Sequence, residues 1–254
     1  LLALYKRKIE TTEGVILICG PTGSGKSTTL YSTLAYLNFP DNNIVTLEKK
    51  VECRINGINQ VQIKPETGLT FQVGLRSLLR QNPDILMVSE LADVSIAETV
   101  LAAALGGRLV FSTLPAHYTA DGLARLINMG IEPFLLSATL CLIVAQRLVR
   151  LVCRTCAEVY EVPVSYLTNI GIAELIHETA PGKIGLTRGR GCAECTNTGY
   201  RGQTAVFEIV QINETLRQMI GSHAAVSEIN KHTREKGILS LKEAALKKVL
   251  AGVT

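Results

Sequence analysis

The 254-residue chain has no tryptophan, three methionines and only 5% aromatic residues. An interior built on stacked rings is therefore excluded. With 47% hydrophobic residues, the core must be aliphatic. Long apolar runs are missing as well. The longest, 134–145, covers 12 residues and contains Ser137 and Thr139. A membrane-crossing helix needs ~20, so no transmembrane segment is expected. Neither sign of charge dominates. The net charge of +4 permits contact with acidic lipid or nucleic acid without arguing for either. No internal repeat, low-complexity linker or export signal is evident. The chain starts at Leu1 rather than Met, and is expected to be a piece of something longer.

What is present concentrates first at Gly20-Pro21-Thr22-Gly23-Ser24-Gly25-Lys26-Ser27, which fits the phosphate-loop pattern G-x-x-x-x-G-K-[ST]. The β-prone segment Val15–Cys19 precedes it. A helix is predicted from Lys26 to Leu37, with Leu30, Leu34 and Leu37 on one face. A glycine-rich surface turn would not need that flanking strand and helix. Glycines let the backbone curl so that its N–H groups face phosphate oxygens, and the helix N-terminus adds positive potential. Lys26 can reach the β and γ phosphates of ATP, the Ser27 hydroxyl can ligate Mg²⁺, and Thr28 completes the binding set.

Such a loop needs an acidic partner at a neighbouring strand end. Asp84–Val88 reads as a strand, and Glu90 emerges at its C-terminal edge. Glu90 can hold Mg²⁺ directly or through water, or orient the attacking water; otherwise it is a surface glutamate after a core strand. Glu48, at the end of Ile44–Leu47, is a second candidate for activating water, although strand ends often carry charge without chemistry. Further strands are predicted at Val61–Ile63 and Leu109–Thr113, and helices at Phe71–Arg80, Val94–Leu105 and Ala120–Met129. Another helix is expected to open at Pro133 and run toward Ala145. The alternation predicts an α/β fold with a twisted, largely parallel sheet over residues 1–150.

Residues 151–254 form a second expected region. Cys153-x-x-Cys156 and Cys192-x-x-Cys195 are two knuckles that can present four thiolates to one Zn²⁺; reduced thiols or disulfides are the alternatives. Cys19, Cys53 and Cys141 read as inert core residues. An amphipathic stretch, Val164–Glu178, lies between the knuckles. Thr204–Val210 reads as a strand, and helices follow at Glu214–Ile220, Val226–Lys236 and Leu241–Leu250, with Asn213 and Ser240 as N-caps of the first and third. Arg147, Arg150, Arg154, Arg188, Arg190 and Arg201 surround the knuckles, but no aromatic platform interleaves with them, so nucleic acid is not expected.

With these residues in place, a family resemblance can be stated. The stretch from Gly20 to Tyr31, Leu79-Arg-Gln-Asn-Pro-Asp84, Gln146-Arg-Leu-Val149 and Thr198-Gly-Tyr-Arg-Gly202 resemble, in order, the boxes of the hexameric secretion ATPases. These are the motors of type II secretion and type IV pilus assembly. The tetracysteine pattern is similar to that of the secretion and pilus-extension branch. The resemblance implies a RecA-like P-loop NTPase core and a homo-hexamer with ATP at subunit boundaries. It also implies a partner, an inner-membrane platform protein that builds a pilus or pseudopilus. A cytoplasmic location, peripheral to the inner membrane, is implied with it.

Several boxes depart from the family pattern. Its Thr-Ile-Glu-Asp-Pro-Val-Glu is Thr46-Leu-Glu-Lys-Lys-Val-Glu52 here, so Glu48 remains while Lys49 replaces an aspartate and Lys50 a proline. Ala92 stands where the family has an arginine. Pro115 stands at a histidine position, with His117 displaced by two. Losing one preorganised electrostatic group typically slows turnover ~10²–10³-fold. Two readings follow: an active ATPase, or a nucleotide-gated ring component with weak catalysis.

Overall fold

The computed structural model describes residues 1–165 and 182–254. In chain order its elements are α1 (Leu2–Ile9), β1 (Gly14–Cys19), α2 (Lys26–Leu37), β2 (Ile44–Glu48), β3 (Asn59–Gln62), α3 (Phe71–Leu79), β4 (Ile85–Val88), α4 (Val94–Leu105), β5 (Leu109–Leu114), α5 (Thr119–Asn128), α6 (Pro133–Thr139), β6 (Leu140–Val152), β7 (Ala157–Pro163), β8 (Lys183–Gly189), β9 (Tyr200–Gln211), α7 (Glu214–Gly221), α8 (Val226–Glu235) and α9 (Leu241–Leu250). The main sheet has the strand order β3-β2-β4-β5-β1-β6-β9. The pairs β2–β3, β2–β4, β4–β5, β5–β1 and β1–β6 are all parallel.

The physical basis of the sheet is visible in its strands. Every residue of β1, β2, β4 and β5 is buried. Strands covered on both faces read as continuous aliphatic runs rather than alternating ones. Parallel pairing also puts the C-terminal ends of β1, β2, β4 and β5 on one edge of the sheet. That edge receives Gly20, Glu48, Ser89-Glu90 and Leu114. Leu30 and Leu34 of α2 are buried, as the 3.6-residue spacing requires. Phe111 is the largest fully buried side chain of a mainly aliphatic core. Removing one such side chain, as in Leu34→Ala, typically costs about 2–5 kcal/mol.

The chain divides into two compact units, and both are discontinuous in sequence. The first comprises residues 1–146 and 209–238, the second residues 147–208 and 239–254. The expected division at 150/151 was continuous. The helices α7 and α8 instead belong with the nucleotide-loop unit. There Arg217 of α7 donates to the carbonyls of Ser137 and Ala138 at the end of α6. Asn213 caps α7 through Leu216 N (2.9 Å), and Ser240 caps α9 through Glu243 N (3.2 Å), as their types predict.

Three expectations need correction, and one hairpin was not anticipated. The helix opened by Pro133 stops at Thr139, and the apolar run that follows is strand β6. A short continuous apolar run fits a buried strand as well as a helix, and pairing with β1 decides it. Strand β3 lies at Asn59–Gln62, two residues before its expected start, because its register is set against Val45–Glu48. Cys53 is exposed and Cys141 half-buried; of the three supposed core thiols only Cys19 is buried. The knuckle region also holds an antiparallel hairpin, β7–β8. Along Ala157–Pro163 the residues alternate between exposed and half-buried, but Glu158 takes a half-buried position and Val159 an exposed one, so hydrophobicity does not announce the strand. Most of the amphipathic stretch Val164–Glu178 lies outside the described residues.

In the second unit, Leu186 of β8 is buried against Tyr160, Val162, Ile184 and the α9 residues Leu246, Val249 and Leu250. The end of β6 is tied to the chain terminus by Val152 N donating to Val253 O (3.0 Å).

Candidate functional site

The loop from Gly20 to Gly25 links β1 to α2, and its shape depends on glycine. Gly25 sits at φ +86° as the residue that enters α2. A Cβ on Gly20 would lie 2.3 Å from Ser24 Oγ and 2.9 Å from Gln146 O, so no larger residue fits. Ser24 is buried, Pro21 half-buried, and Thr22, Gly23 and Thr28 are exposed at the rim. Lys26 Nζ donates to the carbonyls of Gly20 (2.8 Å) and Pro21 (2.9 Å), bridging its own loop. Buried Gln146 braces the loop from β6. Its Nε2 donates to Ser24 O (2.8 Å), and its Oε1 accepts from Thr29 Oγ1 (2.7 Å).

Lys26, Ser27, Glu48 and Glu90 all line one cavity of about 160 Å³, with Tyr31, Lys49, Lys50, Glu52 and Thr113 around them. The strand-end reasoning thus brings both predicted carboxylates to the phosphate loop. Glu48 is only 2% exposed. It accepts from Thr46 Oγ1 (2.6 Å), Gln60 Nε2 (3.3 Å) and Tyr31 Oη (2.5 Å). A carboxylate has about four acceptor positions, so three donors fix its orientation and leave one acceptor position unfilled. The Tyr31 hydroxyl also accepts from Glu52 N (3.0 Å). Burial, and then the neighbouring Glu48, push the Tyr31 phenol up to about 12.

Glu90 is held differently. Its Oε2 lies 2.5 Å from Lys49 Nζ, and Lys49 N donates to Ser89 Oγ (3.2 Å). Ser27 Oγ donates to Glu52 Oε1 at 3.4 Å. One hydroxyl and nearby carboxylates are hard oxygen donors, the kind Mg²⁺ takes together with substrate phosphates. The donor set fits that ion in kind, while Lys49 already occupies one Glu90 oxygen.

Tyr31, Thr46, Gln60 and Gln146 were not singled out as site residues from sequence. Two had a usable signal. Tyr31 follows Ser27 by one helical turn, and Thr46 precedes Glu48 by one strand period, so each shares its partner's face. Pro115 and His117 line a separate shallow depression with Asp121 and Arg125. Ala92 is exposed, and its neighbour Asp93 caps α4 through Ile96 N (2.9 Å).

In the second unit, the sulfurs of Cys153, Cys156, Cys192 and Cys195 lie within 4.8 Å of one another. The pairs 153–192, 156–195 and 192–195 are separated by 3.9, 3.8 and 3.7 Å. Four sulfurs placed tetrahedrally at about 2.3 Å from a zinc ion are about 3.8 Å apart, so the cluster has the size of a Cys₄ site. These distances exclude disulfides within the cluster, and none of the seven cysteines is disulfide-bonded. Burial opposes ionisation of Cys195. Backbone N–H donors from Cys192 and Gly199 nevertheless hold its thiol down at about 6. Burial raises Cys156 to about 11. The surrounding arginines have local partners: Arg188 and Arg190 pair with Glu158, Arg201 with Glu194, and Arg150 stacks 3.9 Å over the Tyr200 ring.

The chain is 40% identical over 251 residues to Type II secretion system protein E of Pseudomonas aeruginosa, covering 99% of this chain and 49% of that one. It is 42% identical over 257 residues to the Type IV pilus assembly ATPase PilB of Myxococcus xanthus, covering 100% of this chain and 44% of the relative. The chain therefore spans about half the length of these curated relatives. Among solved structures, the pilus retraction motor PilT with bound ADP superposes with a TM-score of 0.72 at 24% identity, over 100% of this chain and 62% of that one. At that identity the likeness speaks to the fold alone. The description of the Type II/IV secretion system protein family matches residues 2–254. With 40–42% identity along nearly its whole length to such relatives, the chain belongs to the Type II/IV secretion system protein family.

Proposed function

We propose that this chain is the motor segment of an ATPase that drives type II secretion or type IV pilus assembly. The observation that carries the proposal is the convergence of Lys26, Ser27, Glu48 and Glu90 on one cavity at the C-terminal edge of a parallel sheet. Lys26 exchanges two neutral carbonyl acceptors for charged phosphate oxygens, which bind an ammonium more strongly. Gln146 holds the loop in place while this happens. The Ser27 hydroxyl, with Glu90 lining the same cavity, would hold Mg²⁺, which supplies charge neutralisation at the phosphates when bound. Glu48, oriented by its three donors, positions and deprotonates the attacking water. The four cysteines would hold a structural Zn²⁺; with every position filled by thiolate it has no catalytic opening.

The ring of six, the inner-membrane platform and a peripheral cytoplasmic location enter on the family resemblance. No helix among the described residues is long and apolar enough to cross a membrane.

The test is single-turnover hydrolysis of ATP with Mg²⁺, under conditions that force oligomerisation, with Lys26→Ala as blank. Phosphate release above the blank is expected. Nucleotide binding without release would replace the motor reading by the nucleotide-gated one, to which the Lys49–Glu90 pair lends its support.

A further inference from the structure

The rim of the nucleotide cavity carries a contact that phosphate-loop chemistry does not require. Lys49 is the first residue after β2, and Glu90 follows β4 by two. Their ion pair and the Lys49 N–Ser89 Oγ bond fasten one strand end to the other. Both side chains line the cavity that Lys26 and Ser27 line. A carboxylate in this place is where a hard divalent cation is taken, directly or through water. Here an ammonium stands in front of it. The side chains are 57% and 28% exposed. A pair so exposed is weak, so the ammonium is free to move. Its flexible four-carbon stem carries three rotatable donors, and phosphate oxygens entering the same cavity are within its compass.

We propose that Lys49 is a built-in counter-cation of the nucleotide site. It competes with Mg²⁺ for Glu90 and neutralises nucleotide phosphates itself, so that nucleotide binding by this chain depends only weakly on Mg²⁺. The inference rests on the reading of this cavity as an ATP site. The electrostatics run in one direction. Without metal, Lys49 both adds a positive charge near the phosphates and masks the negative charge of Glu90. With metal, the ion must displace the ammonium before Glu90 contributes. Deleting Lys49 therefore weakens binding chiefly in the absence of metal and makes Mg²⁺ more effective.

The measurement is the Kd of a fluorescent ATP analogue in Mg²⁺ and in EDTA. The proteins are the purified chain, Lys49→Ala, Lys49→Arg, Lys49→Ala with Glu90→Gln, and Lys26→Ala. The EDTA-to-Mg²⁺ ratio of Kd values should be small for the unaltered chain. It should grow on the order of fivefold in Lys49→Ala, the effect expected of one part-exposed charge contact. Lys49→Arg should keep the small ratio, and removing Glu90 as well should restore it. A titration with Mn²⁺, followed by its paramagnetic signal in the nucleotide complex, should show tighter metal binding in Lys49→Ala. Equal ratios in the unaltered chain and Lys49→Ala would overturn the inference, as would equal weakening with and without Mg²⁺, the mark of a plain phosphate contact. If the unaltered chain binds no nucleotide, or Lys26→Ala binds it as well, the ATP-site reading itself falls and takes the inference with it.

Discussion

Tyr31→Phe is the most informative single perturbation of the core of the site. It deletes one oxygen that donates to Glu48 Oε2 at 2.5 Å and accepts from Glu52 N at 3.0 Å. Glu48 is 2% exposed, so water does not readily replace the lost donor. Glu52 is exposed, and its N–H finds water. A hydrogen bond to a charged group contributes about 1.5–3 kcal/mol. A loss of about 2 kcal/mol, with a urea dependence of about 2 kcal/mol/M, lowers the unfolding midpoint by about 1 M. The loss should shrink when Glu48 is already Gln, because the phenol then donates to a neutral amide oxygen. The phenol also predicts a pH dependence. The folded chain keeps the Tyr31 proton to about 12, against an ordinary value of 10. Between these pH values the unfolded chain binds fewer protons, so stability falls as pH rises through that window. Tyr31→Phe should flatten the fall. If Glu48 acts on the water as proposed, the kcat of this variant should drop with little change in KM for ATP. An unchanged urea midpoint and an unchanged alkaline slope would refute the claim that Tyr31 holds Glu48.

Gln146→Leu removes one bond to the phosphate loop and one to Thr29 of α2, leaving buried Ser24 O without this donor; urea unfolding should show a loss of about 1–3 kcal/mol, and ATP analogue binding should weaken. Gly189→Ala puts a Cβ 2.0 Å from Gly199 O, a backbone atom that cannot yield, and should expose the knuckle unit to protease while leaving nucleotide binding intact. Metal analysis should find one zinc per chain; Cys192→Ser or a strong chelator should release it and lower the unfolding temperature of the second unit, and a chain that is metal-free yet equally stable would defeat the zinc assignment.

Different parts of this protein were written at different ranges. Residue order alone determined the phosphate loop, the caps at Asn213 and Ser240 and the helices α4 and α9, because each is set by groups a few residues apart. Strand-end logic also brought Glu48 and Glu90 toward Lys26, since parallel strands must end on one edge. The tetracysteine spacing announced a cluster before any distance was known. Tertiary structure alone decided the rest. The run Leu140–Val152 became a strand because β1 offered it a ladder, a partner more than a hundred residues away. Residues 209–238 joined the first unit through packing that no local period encodes. Lys49 met Glu90, and Gln146 met Ser24, only because the sheet carried distant strand ends to the same place. A side chain's periodicity tells which face it shares; which group waits across that face is settled when the chain closes on itself.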